Sequence, residues 1–468
     1  MNQRIYALLF AALLAVALCL SASCGDDDDN DDDGAPADDD SAAPDDDNDD
    51  NDQSPADDDD TTWTPVEPHR EDVGRFTIVW LAGTPYEMGQ QQGTLLHEEL
   101  AAGIDWLNTY HLIDLLIPLA RLLGLIDLAV DNSYPDVLQE CQGLVDTAGD
   151  VGWTMEVCLL LNFGDVLVEF LSNGFPPAKA LAPGCTQAIA ADAATADGGI
   201  YHARSLDWDK IDYLLDYPVI HVRQPDGGVP HVYIGFPGNL SPYSGMNAAG
   251  ISIASDEADP LDNTQHDRVG RSHVQMLGQL LKNSHDFDEV RQTVLDSDHM
   301  TVEIFGVASG QEHRAGIFEM TAQHIGIREL SDAVVWGTNH FVAPETRDYD
   351  AEPPSSSSTL RFDRVQQLVA PDGADTMWGQ LDPAAMVSLL RDRVNPYTGE
   401  ESSVDEFDNN ESIATNGAIY QIVFDPERLC FWVATGAIPV PQQPFVGFSL
   451  GELLELPDAE ACEPAQFE

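Results

Sequence analysis

The feature that most restricts the fold is a change of hydrophobic period at Cys185. Before it, residues 86–172 read mainly as helix, with apolar clusters from Trp106 to Leu128 and from Val137 to Leu171. After it the apolar residues alternate, and turn signals divide them into hairpins. Asp197-Gly198-Gly199 falls between two such runs, 186–191 and 200–204. Glycine takes positive φ without steric cost, so this triplet predicts a tight hairpin. Further hairpins are expected at 217–235, 301–328 and 417–436, and helices at 266–296, 360–370 and 382–393. Gly245 to Ala254 reads as a turn entering a strand. Helices come first and strands follow, interrupted by helices, so the class is α+β rather than alternating α/β.

Upstream, Phe76 to Leu81 reads as a strand, and the fold is expected to start near Gly74. Thr84 can cap a helix, Pro85 suits its first position, and Glu87 completes a capping box. Gly89 and Gly93 leave one face of that helix bare, which permits close packing on another backbone.

The 36 residues before Thr61 are of another kind. Residues 25–60 hold 20 aspartates and no basic residue, and Arg4 is the only charge before them. Such a stretch cannot bury enough apolar surface to order itself and reads as a self-repelling linker. The net charge of the chain is -62, and residues 61–468 still carry 62 acidic against 19 basic side chains. This surface repels nucleic acid and anionic membrane faces. Residues 1–24 resemble a bacterial lipoprotein signal: Arg4, an apolar run from Ala7 to Leu20, and small residues before Cys24. The resemblance implies lipidation of Cys24, with membrane contact through that anchor only, and export to the cell envelope. No later stretch is long and apolar enough to span a bilayer.

In an exported chain, Cys141, Cys158, Cys430 and Cys462 suggest two disulfides with three connectivities. Local pairing, 141 with 158 and 430 with 462, is the simplest. Cys185 is then left as a free thiol. The hairpin folds Arg204 and Asp207 back beside it, and a thiol next to a guanidinium and a carboxylate is a candidate nucleophile. Gly447-Phe448-Ser449-Leu450-Gly451 matches a serine nucleophile elbow. That chemistry needs a histidine after the serine, and no histidine follows His340. No zinc spacing, P-loop or dinucleotide fingerprint occurs, and no cofactor is expected.

Five segments occur in a telling order: Gly184-Cys185-Thr186, Ala203-Arg204-Ser205-Leu206-Asp207-Trp208, Gly245-Met246-Asn247 with Gly250, Thr338-Asn339-His340-Phe341, and Ser358-Thr359-Leu360-Arg361-Phe362. Together they resemble the cysteine N-terminal-nucleophile hydrolases, which include isopenicillin N acyltransferase, choloylglycine hydrolase, penicillin V acylase and the acid ceramidases. Gly83-Thr84-Pro85-Tyr86-Glu87-Met88-Gly89 resembles the acyltransferase branch. The match covers roughly residues 74–440.

The resemblance implies a four-layer αββα sandwich and self-cleavage between Gly184 and Cys185. A helical segment, 74–184, would precede the 185–468 core, behind a signal at 1–24 and a linker at 25–73. It implies that Cys185 is the nucleophile, that Asp207 holds the freed α-ammonium, and that Arg204 supports the thiolate or substrate. Asn339 would donate to the oxyanion and Arg361 would close the site. The substrates implied are acylated small molecules, cleaved at an amide. A phospholipase-B-like lipid deacylase of the same fold and an inactive surface binding lipoprotein are the alternatives. The chain departs from the family at Ala203 and Ser205, where Gly and Asn are usual. The second oxyanion donor of the bile-salt and penicillin branches should fall near Ser255-Asp256-Glu257, where an ionised carboxylate cannot donate.

Overall fold

The computed structural model describes residues 63–109, 112–163, 166, 170, 184–208, 212–403 and 412–468. Cys24, the signal and the acidic stretch lie outside them. Pro65–Glu468 forms one compact unit.

Two sheets organise that unit. The larger has the order β1 (His69–Val73), β2 (Phe76–Gly83), β5 (Val219–Pro225), β6 (His231–Gly235), β7 (Ser244–Asn247), β8 (Ile251–Asp256), β9 (Glu303–Ser309), β10 (Arg314–Met320), β11 (Ile325–Glu329). β2 and β5 run parallel, and the other neighbours are antiparallel. The smaller sheet has the order β12 (Val334–Gly337), β3 (Thr186–Asp192), β4 (Gly198–Asp207), β13 (Ala418–Asp425), β14 (Cys430–Thr435), β15 (Phe445–Ser449), β16 (Gln466–Phe467). The predicted hairpins are there. The first turns at Gly198, with φ of +82°, where the Asp197 carboxylate accepts from the Gly199 amide.

Away from the edge strands both faces of each sheet are buried, so the strands alternate between two apolar environments rather than between core and water. Ile78, Ile220 and Val222 meet Ile422, Phe424 and Phe431 between the sheets. Farther along, Ile304 and Ile317 meet Ile189 and Ile200. The intervening side chains point outward under helices. Val79 and Leu81 lie beneath α1 (Pro85–Leu95) and α2 (Pro135–Ala148). Ile253 and Phe305 lie beneath α3 (His273–Asn283) and α4 (Phe287–Asp296). Ala188 and Ala203 of the smaller sheet lie beneath α5 (Ser356–Val369) and α6 (Pro383–Leu390). The architecture is an α+β, four-layer αββα sandwich, as expected.

Local signals explain several of these elements. The capping box is formed: the Glu87 amide donates to Thr84 Oγ1 at 3.3 Å and the Thr84 amide donates to Glu87 Oε2 at 2.9 Å. Gly89 is where α1 touches α2, since a Cβ there would lie 2.1 Å from the Glu140 carbonyl oxygen. The expected helix at 266–296 is two helices, broken at Ser284-His285-Asp286, where Asp286 caps the second by accepting from the Glu289 amide at 2.8 Å. The fold also starts earlier than Gly74. β1, at His69–Val73, lies in residues assigned to the linker and pairs with β2. Its pattern is polar because it is an edge strand exposed along most of its length, which hid it from an alternation test. Disulfides join Cys141 to Cys158 and Cys430 to Cys462, and Cys185 is a free thiol.

Candidate active site

Strand register brings the site together. In the β3–β4 pair, Thr186 faces Ser205 and Gln187 faces Arg204. In the β12–β3 pair, Gly337 faces Gln187. Extending each ladder by its own antiparallel rule sets Cys185 between Leu206 on one side and Asn339 on the other. Arg204 and Asp207 therefore flank the thiol. A bulge in the β4–β13 pairing, between Ala418 and Tyr420, displaces the register beside Asp207. α5 docks against the end of β12 through Ser358, whose carbonyl accepts from Thr338 Oγ1 at 3.1 Å. That carries Arg361 over the start of β3.

Cys185 is 2% exposed. Its Sγ lies 3.6 Å from Arg204 Nη2, and its thiol donates to the Asp207 carbonyl oxygen at 3.7 Å. Arg204, 1% exposed, is held on all sides. Nη1 donates to the Tyr420 hydroxyl at 3.0 Å, Nη2 donates to the Ser255 carbonyl, and Nε lies 3.7 Å from Asp256 Oδ1. The Asp207 carboxylate accepts from the Ser205 hydroxyl and, at 2.6 Å, from Thr415 Oγ1. The Gly184 amide donates to the Asp207 carbonyl at 3.2 Å.

Arg361 is the second buried guanidinium. Nη1 donates to the Cys185 carbonyl and to Thr186 Oγ1 at 2.9 Å, and Nη2 donates to Asn339 Oδ1 at 2.8 Å. The last contact fixes the amide of Asn339, so its Nδ2 must face the other way. It donates to the Glu257 carbonyl at 2.8 Å. All five residues singled out from the sequence, Cys185, Arg204, Asp207, Asn339 and Arg361, thus form one contiguous cluster.

The electrostatics are those of a resting thiol. Burial pushes the Cys185 thiol up to about 12; Arg204 opposes this, and Asp256 and Asp207 add to it. Burial also raises Asp207, against hydrogen bonds from Ser205 and Thr415. With Gly184 bonded to Cys185, the neighbouring nitrogen is an amide and cannot take the thiol's proton.

A narrow cleft of about 20 Å³ reaches the thiol, and its walls include Arg204, Trp208, Tyr243, Glu257, His273 and Glu303. Burial holds His273 down to about 3, so the ring is neutral; its Nε2 is 3.0 Å from Glu303 and its Nδ1 3.0 Å from Thr301 Oγ1. A neutral ring that donates through Nε2 to the carboxylate accepts from the threonine hydroxyl at Nδ1. A small apolar pocket of about 20 Å³ adjoins the cleft and shares Leu206, Trp208 and Tyr243 with it. Leu214, Ile234, Phe236 and Ile419 complete it, so its walls come mainly from the sheets rather than from the helices before Cys185.

One expectation changes. Asp256 does not reach the cleft as a failed oxyanion donor. It is buried between the sheets, where Gln187 Nε2 donates to it at 2.6 Å, and it is Glu257 that lines the cleft. Tyr420 and Thr415, which hold Arg204 and Asp207, carry no local sequence signal: they come from a hairpin strand and the loop before it, more than 200 residues away. Ser449 lies at the end of β15, where its hydroxyl accepts from the Glu452 amide at 3.3 Å and caps a short helix. Among the described residues, no group of three or more His, Cys, Asp or Glu side chains could hold a metal ion, and no helix is long and apolar enough to cross a membrane.

No family model matches the chain. It is 25% identical over 372 residues to an uncharacterized protein of Archaeoglobus fulgidus, an alignment covering 70% of this chain and 60% of that relative's length. Among solved structures it is similar to an N-acylethanolamine-hydrolyzing acid amidase ortholog of Caenorhabditis elegans, at 14% identity and a TM-score of 0.38, covering 57% of this chain and 99% of that one. It is similar at 13% identity and a TM-score of 0.33 to a mutant conjugated bile acid hydrolase of Clostridium perfringens, over 59% and 96% of the two chains. Penicillin V acylase of Agrobacterium tumefaciens gives the same identity and TM-score over 57% and 86%. The class stated above, a four-layer αββα sandwich, rests on the strand order and cores of this protein itself.

Proposed function

We propose that this protein is an autoprocessed cysteine N-terminal-nucleophile acyltransferase or amidohydrolase. It acts on C–N amide bonds of acylated small molecules through an acyl-Cys185 intermediate. The observation that carries this reading is the convergence of Cys185, Arg204, Asp207, Asn339 and Arg361 at a cleft beside an apolar pocket.

The geometry suits two stages. In the first, the Cys185 sulfur attacks the Gly184 carbonyl carbon, the peptide bond breaks as its nitrogen takes a proton, and water hydrolyses the resulting thioester. Cys185 then carries a free α-amine with a reference pKa of about 7.7–8.0. That amine is matched to a proton taken from its own thiol near neutral pH. In this reading Asp207 holds the ammonium form. In the second stage the thiolate attacks a substrate amide. Asn339, its orientation set by Arg361, exchanges the Glu257 carbonyl for the developing oxyanion. The leaving amine takes the proton, the acyl group stays on sulfur, and water or an acceptor amine removes it. Leu206, Ile234, Phe236 and Ile419 offer the acyl chain an apolar wall. The lipid anchor at Cys24 and the acidic tether, with a site in the cell envelope, belong to the same reading.

The test is turnover of a series of N-acyl aminocoumarin amides by the mature protein and by Cys185→Ala. Release of the coumarin by the wild type alone is expected, with dependence on acyl length set by the apolar pocket. Release of fatty acid from phospholipid but from no amide would favour a lipid deacylase. No turnover together with no labelling of Cys185 by a thiol-directed acyl probe would leave an inactive binding protein.

A further inference from the structure

Arg204 faces two acids at once. Its Nη2 lies 3.6 Å from Cys185 Sγ, and its Nε lies 3.7 Å from Asp256 Oδ1. The first contact belongs to the convergence of residues at the thiol, and the second has no part in the steps proposed above. Yet the fold makes room for Asp256, which is 1% exposed. Gln187 Nε2 donates to its Oδ2, Gln187 Oε1 lies 3.3 Å from His202 Nε2, and His202 Nδ1 lies 3.0 Å from Ser252 Oγ. Gly306 leaves the space for this row, since a Cβ there would come within 2.0 Å of Gln187 Oε1.

The surroundings of Asp256 single out one partner. β4 contributes Arg204, Asp207 and His202; α5 contributes Arg361; Cys185 precedes β3; and Tyr420 on β13 bonds Arg204. On β9, Glu303 adjoins Ile304, the cross-strand neighbour of Asp256, and is taken up by His273. Arg204 is the cation within ion-pair distance of Asp256.

We propose that Asp256 is a positioning residue that competes with the Cys185 thiolate for the Arg204 guanidinium, so that its charge sets the acidity of the nucleophile. The inference rests on the reading of Cys185 as the nucleophile. With Asp256 protonated, the guanidinium serves the sulfur alone. With Asp256 ionised, the same charge is shared and the thiolate is harder to form. Burial pushes Asp256 up to about 7, against Arg204 and Gln187, which places the exchange in the neutral range. Two sites coupled in this way titrate as a pair. The thiolate fraction should climb with pH, level off once Asp256 ionises, and climb again.

The test follows the rate of Cys185 alkylation by iodoacetamide from pH 5 to 10, mapped by peptide mass, in the full chain and in two variants. The wild type is expected to break near pH 7. Asp256→Asn should lose the break and alkylate on the order of tenfold faster above it, the effect of about one pKa unit. Gln187→Leu removes a donor to the carboxylate and should move the break to higher pH. The α-amine titrates in all three proteins and drops out of the comparison. An Asp256→Asn profile equal to that of the wild type overturns the proposal. If that variant does not melt cooperatively, an unmoved break in Gln187→Leu overturns it instead. Absence of alkylation at Cys185 in the wild type at every pH would overturn the nucleophile reading as well. Alkylation with unmoved profiles overturns this inference alone.

Discussion

Asn339 separates chemistry from scaffolding, because its two amide atoms do different work. Oδ1 accepts from Arg361, and Nδ2, which donates to the Glu257 carbonyl, is the donor proposed for the oxyanion. Asn339→Asp keeps the acceptor and removes the donor. Turnover should fall about 100- to 1000-fold, as removal of an oxyanion donor does elsewhere. Equal turnover in steady-state assays of both proteins would remove Asn339 from the mechanism. At this scale the sequence was informative for an identifiable reason. Cys185, Arg204 and Asp207 sit on one hairpin, so a two-glycine turn and a period of two suffice to juxtapose them. Asn339 and Arg361 were found through the family resemblance, since their approach depends on the β12–β3 register and on helix docking. Asp256 was misread because position along a strand does not tell which of two buried faces a side chain takes.

At the scale of elements, the close approach of α1 to α2 is the most exposed to test. In a free helix, Gly→Ala gains about 1 kcal/mol. At Gly89 the added Cβ would lie 2.1 Å from the backbone oxygen of Glu140, which has no rotamer to yield. Overpacking of this kind costs about 1–3 kcal/mol, so the sign should reverse and Gly89→Ala should destabilise. Urea denaturation of the two proteins checks it. The bare helix face was legible as Gly89 with Gly93, although the partner was not. Edge strands were the blind spot. β1 and β16 present mixed, exposed patterns that resemble loops until pairing supplies their hydrogen bonds.

At the scale of the whole molecule, buried histidine rings add to the acid sensitivity of the fold. His202, His221, His231 and His273 are each pushed down to about 3 by burial. The unfolded chain takes up these protons near pH 6.5 and the folded chain does not. Their stabilising contribution is therefore full above about pH 6.5 and is lost as pH falls towards 3. Each group steepens the loss by up to about 1.4 kcal/mol per pH unit. His221 is stacked on Tyr233 with ring centroids 4.6 Å apart. His221→Phe keeps an aromatic ring there and removes one titrating group. Its stability should fall less steeply than that of the wild type between pH 6 and 5, whatever its absolute value. Parallel slopes in urea titrations at the two pH values would contradict the assignment.

The proposed cleavage of one bond, Gly184–Cys185, is read by intact mass and denaturing electrophoresis of the purified protein beside Cys185→Ala. Two fragments meeting at Gly184 and Cys185 in the wild type, and one uncut chain in the variant, are predicted. An uncut chain in both would leave Cys185 without the free amine that the mechanism requires, and would contradict the account.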